Sequence, residues 1–135
     1  MKTKVVLTAQ DTKAVLAAAQ QHADTHNWAV SIAVVDDGGH LLALTRLDDA
    51  APMTASMATA KARAAALGRR ETRLFEEMIN QGRTAFLSAP DMQGMLEGAV
   101  PITIDGQVIG SVGVSGVKSS EDAEIARAGI AAIMA

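Results

Sequence analysis

Residues 29–46 read AVSIAVVDDGGHLLALTR, and this stretch decides the fold. Val30, Ile32 and Val34 alternate with Ser31, Ala33 and Val35, which is the period of a strand. Asp36-Asp37-Gly38-Gly39 then supplies residues that tolerate positive φ, so the chain is expected to turn back on itself. From His40 to Arg46 the alternation resumes, with Leu42 and Leu44 on one face and Leu41 and Ala43 on the other. Both faces of this hairpin are apolar, which predicts cover on both sides, by helices or by another subunit.

Working outward, Thr8 is placed to cap a helix running to about His26, with Val15, Leu16, Ala19 and Ala23 as its apolar stripe and Asn27 as its stop. After the hairpin, Pro52 suits the first turn of a second helix over Met53–Leu67, with Gly68 just past its end. Met53, Met57, Ala60, Ala64 and Leu67 share one face of it. Thr72 opens a third helix with the stripe Leu74, Phe75, Met78 and Ile79, ending near Gly82. Residues 83–98 carry no clear period. A second hairpin follows: Val100, Ile102 and Ile104 alternate, Asp105-Gly106 makes a two-residue turn, and Gln107 to Ser115 returns. On the return strand Ile109, Ser111, Gly113 and Ser115 form a face of mostly small side chains, which predicts a close neighbour. Ser119 or Ser120 caps the last helix, with Glu121, Asp122 and Glu124 in its first turn. The order is α-β-β-α-α-β-β-α.

The chain has 135 residues, the size of one compact domain spanning 1–135. Twelve basic and fifteen acidic residues give a net charge of −3, and the one basic cluster is Arg69, Arg70 and Arg73. That footprint, with only two Phe and one Trp, argues against nucleic-acid binding. The absence of cysteine excludes disulfides, thiol nucleophiles and thiolate metal sites. Met1–Lys13 has no apolar run of a signal peptide, and no segment is long and apolar enough for a membrane span, so a cytoplasmic protein is expected. The 27 alanines make a core of small side chains that must pack closely, and subunit interfaces would add burial.

Few residues carry candidate chemistry, and no catalytic set can be assembled. His22 and His26 stand four apart on the first helix and share a face, a spacing that can ligate a transition metal or offer an axial imidazole to haem. No third ligand accompanies them in the sequence, so a dedicated metal site is not expected. His40 reads as a turn-edge residue. The Glu121…Glu124 spacing is explained by the helix dipole. Lys61 sits among alanines, where a desolvated ammonium can bind an anion, although it can also reach out to water. Arg46 can clamp a carboxylate or pair with Asp48 or Asp49. The run Gly110–Gly116 lacks the spacing of a phosphate-binding loop but precedes a helix.

Taken together, these stretches resemble the GlcG/HbpS family, which also appears as the C-terminal domain of PduO-type proteins. The resemblance rests on Ser31–His40 with Arg46, on Lys61-Ala62 in the alanine-rich helix, on Val100-Pro101-Ile102 through Asp105-Gly106 to Gly113–Gly116, and on Glu121-Asp122 with Ala126. It implies an α+β, profilin-like fold with a central antiparallel sheet of about five strands flanked by helices. It also implies a homo-oligomer of high order, such as an octamer. Haem is the cofactor it implies, bound through a first-helix histidine, here His22 or His26. Arg46 and Lys61 would neutralise the propionates, and Met53, Met57 and Phe75 would line the pocket. The glutamate pair through which some relatives hold iron is not matched in the third helix. The alternative is an accessory protein or enzyme of small diol, glycerol, glycolate or corrinoid metabolism. It would bind a small anionic metabolite at Lys61, Gly113 and Ser115.

Overall fold

The computed structural model describes residues 1–134. Among the described residues four α-helices and four strands follow in the expected order. They are α1 (Ala9–Thr25), β1 (Ser31–Asp36), β2 (Leu41–Arg46), α2 (Met53–Gly68), α3 (Thr72–Asn80), β3 (Ala99–Ile104), β4 (Gln107–Ser115) and α4 (Ser119–Ala131). A short 3-10 helix, Thr84–Ser88, lies in the segment without sequence period. The sheet is wholly antiparallel in the order β2-β1-β4-β3 and has four strands, one fewer than the fold class suggested. No helix among the described residues is long and apolar enough to cross a membrane.

Strand alternation sorts the helices into two layers. Val30, Ile32, Val34, Val112 and Val114 point to one face, where Val15, Ala19, Ala23, Ile125 and Ala126 of α1 and α4 complete the main core. Ala33 and Val35 point to the other, against Ala58, Ala62 and Ala66 of α2. Phe75 joins Ala64 and Met95 in a third cluster beside α2. Gly113 allows α2 to lie very close to the sheet. A Cβ there would stand 2.3 Å from the Ala58 carbonyl oxygen and 2.6 Å from the Ala62 nitrogen.

That approach also corrects the expected face of α2. Met53 and Leu67 are exposed and Ala64 of that face is buried against Phe75, while the side that meets the sheet is Ala58, Ala62 and Ala66, small enough to lie against Gly113. The end of α2 shifts as well. Gly68 stays inside the helix because a Cβ would strike the Phe75 ring at 2.3 Å, and Arg69 takes the left-handed turn with φ 58°. Lys118, rather than a serine, precedes α4, and its N–H donates to the Glu121 carboxylate. The Asp105-Gly106 turn has φ values of 51° and 77°, the left-handed pair that joins two twisted strands. Strand β1 is covered on both faces as expected, but β2, at the sheet edge, leaves Leu41, Leu42 and Leu44 exposed.

Candidate functional site

The carboxyl end of α1 positions the two histidines. Thr8 and Asp11 form a reciprocal capping box at the helix start. At the other end Asn27 adopts φ 57°, its N–H donates to the Asp24 carbonyl, and the Trp28 N–H donates back to the Ala23 carbonyl. This pair of bonds is a Schellman stop, and it folds the chain back over the last turn. The Trp28 ring is thereby stacked on His26, centroids 4.3 Å apart, and the His22 and His26 rings lie 4.6 Å apart.

The two imidazoles have different partners. His22 Nε2 lies 2.6 Å from Glu124 Oε2 on α4. His26 Nδ1 donates to the His22 carbonyl at 2.9 Å, which leaves Nε2 as the ligand atom. An imidazole anchored through one nitrogen to a backbone carbonyl is the usual posture of a metal-ligating histidine. Trp28 also lines an open cleft of about 560 Å³ with Asp24, Thr45, Arg46, Asp48 and Asp49. Arg46 is the one cationic side chain among the residues lining this cleft.

Lys61, Gly113 and Ser115 lie elsewhere. Lys61 projects from α2 past the amino end of β3 and is buried. Its ammonium donates to the Val114 carbonyl at 3.0 Å and to Asp122 Oδ2 of α4 at 3.2 Å. The Val117 N–H donates to the other Asp122 oxygen. Burial pushes the Asp122 carboxyl above its ordinary value, and the Lys61 charge and these hydrogen bonds only partly offset it. Gly98, at φ 139°, leaves the room: a Cβ there would come within 2.8 Å of Lys61 Nζ. Space at Gly113 is filled by α2 itself, and Ser115 is buried. The small-anion site expected at these three residues is therefore occupied by protein, and the Lys61 charge is spent on Asp122 rather than offered to a propionate. Met57 is half-buried on α2, in the layer opposite the histidines.

Two residues of this arrangement escape a reading of local spacing. Glu124 is 102 positions from His22, and only the pairing of α4 with α1 brings them together. Asp122 is 61 positions from Lys61. Both acids had a sufficient local explanation at the start of α4, which concealed their distant partners. Glu121 does follow that explanation. His40 closes its own turn, with Nδ1 3.1 Å from Asp36 Oδ1. Burial alone would raise the Asp36 carboxyl, but the His40 and Gly38 N–H groups hold it below the usual range.

An antiparallel sheet held between the α1–α4 layer and α2, entered through one hairpin and left through another, defines the profilin-like class of α+β proteins. Within that class the chain belongs to the family described as "Haem degrading protein HbpS-like", which matches residues 7–131. It is 61% identical over 115 residues, 85% of either chain, to Protein GlcG of Escherichia coli. Its fold matches a double mutant of HbpS from Streptomyces reticuli with a TM-score of 0.90 and 29% identity, covering all of this chain and 92% of that one. It matches the crystal structure of a PduOC:heme complex with a TM-score of 0.84 and 27% identity, covering 96% of each.

Proposed function

We propose that this chain is an oligomeric tetrapyrrole-binding protein that takes haem through His26, with Arg46 answering a propionate. One observation carries the reading. His26 is anchored through Nδ1 with Nε2 free, and it is stacked on Trp28, which also lines the cleft holding Arg46. The family description and the haem complex of a structural neighbour support the same ligand. His22 serves as the carbonyl that orients His26 rather than as the iron ligand. Bound haem would supply a redox-active iron with an exchangeable position. This chain's part is to present one imidazole, one guanidinium and one indole face.

Haemin titration of the purified protein tests this reading. Saturable binding is expected in the wild type and in His22→Ala, with the axial-imidazole spectrum lost in His26→Ala. Arg46→Ala should weaken binding about tenfold, the scale of one charge-assisted hydrogen bond. Spectra that never saturate and do not differ between variants would overturn the proposal.

A further inference from the structure

We propose that His22, His26 and Glu124 form a site for a first-row divalent transition ion such as zinc or nickel, one per chain. The proposal goes beyond the haem reading and does not depend on it, although the two ligands would compete for His26. One nitrogen from each imidazole and one carboxylate oxygen lie within 4.8 Å of one another. Two ligands on a tetrahedral zinc, each about 2.0–2.1 Å from the ion, stand roughly 3.3 Å apart. The His22–Glu124 separation of 2.6 Å needs to open by less than about 1 Å to admit the ion.

The helices that carry these ligands are closely packed. Gly129 lets α4 cross α1 closely, since a Cβ there would stand 3.0 Å from the Ala19 Cβ and 2.9 Å from the Val15 carbonyl oxygen. The two helices run antiparallel. Three residues further along α1 and five residues back along α4, that crossing delivers His22 beside Glu124. His26 is held from two sides, by the His22 carbonyl and by the Trp28 ring. Among the described residues Glu124 pairs with no lysine or arginine, so His22 is its only salt-bridge partner. Two imidazoles and one carboxylate suit the borderline ions of the first transition row. Magnesium and calcium prefer oxygen alone. Three protein ligands leave a fourth position for water.

Calorimetric titration of the purified full chain with zinc sulfate and with nickel chloride tests the site, beside Glu124→Gln and His26→Ala. Trp28 is the sole tryptophan and stacks on His26, so nickel should quench its fluorescence with the same saturation curve. Saturation at one ion per chain is expected, with no response to magnesium. Glu124→Gln keeps a hydrogen-bonding group of the same size and should weaken zinc by roughly tenfold or more. The haemin spectrum of that variant should stay unchanged, which separates this site from the haem reading. Equal zinc affinity in the wild type and in Glu124→Gln would overturn the proposal, and so would an absence of saturable zinc binding.

Discussion

Lys61 and Asp122 form a charge pair with both side chains almost fully out of water, at 4% and 3% exposure. A buried pair adds little to stability over an apolar pair of the same shape, but removing one partner strands the other charge. Lys61→Met should therefore cost about 3–5 kcal/mol at neutral pH. Asp122 already titrates above its ordinary value of 3.8, and loss of Lys61 would raise it further. An acid raised in the folded state contributes stability that is complete below its unfolded value and is lost as pH rises through the folded one. Urea unfolding should accordingly show a larger deficit for Lys61→Met at pH 7 than at pH 4. An equal deficit at both would mean that Asp122 is not the stranded charge. The sequence shows that Lys61 lies among alanines and is thereby a candidate for desolvation. It does not show the partner, because nothing local distinguishes Asp122 from the other acids that suit a helix start.

Elements whose ends are set by their own residues were readable in the chain. The Thr8 cap, the Asn27 stop and the Asp105-Gly106 turn each act through neighbours a few positions away, and each falls where it was expected. Helix α2 was harder, because a helix made largely of alanine has no strong apolar side and its orientation is chosen by what it packs on. Gly113 makes that choice. Gly113→Ala should push α2 off the sheet and destabilise the fold by about 1–3 kcal/mol or more, since the clash is with backbone atoms. Thermal unfolding measures it. A melting temperature within a degree of wild type would show that α2 does not lie as close as described. Gly68 gives the complementary lesson: a glycine near a helix end marks the stop only when no ring already fills the place of its side chain.

Across the whole molecule, the layering was legible from two hairpins and their flanking helices. The joining of α1 to α4 was not, because it is a tertiary contact between the first and last helices. The His22–Glu124 pair depends on that joining, which is why the sequence offered two histidines and no third ligand. The sheet also ends on β2, with Leu41, Leu42 and Leu44 exposed at 50%, 42% and 40%. A sheet edge bearing adjacent leucines is a place for another chain to cover. On the oligomeric reading proposed above, Leu42→Arg together with Leu44→Asp should lower the assembly size measured by sedimentation at micromolar concentration. An unchanged sedimentation coefficient would show that this edge is not a subunit contact. The haem and zinc sites proposed for one chain lie in the layer away from α2, and so do not require α2 to move.

The close seat of α2 on Gly113 bears on how this sequence can diverge. Crowding between two side chains can be relieved by trimming one as the other grows, so such positions drift in pairs. Here the two nearest opposing atoms are the Ala58 carbonyl oxygen and the Ala62 nitrogen, which every amino acid carries, with the Ala62 Cβ next at 2.8 Å. No compensating exchange in α2 can make room, and position 113 stays closed to drift for as long as that helix keeps its place.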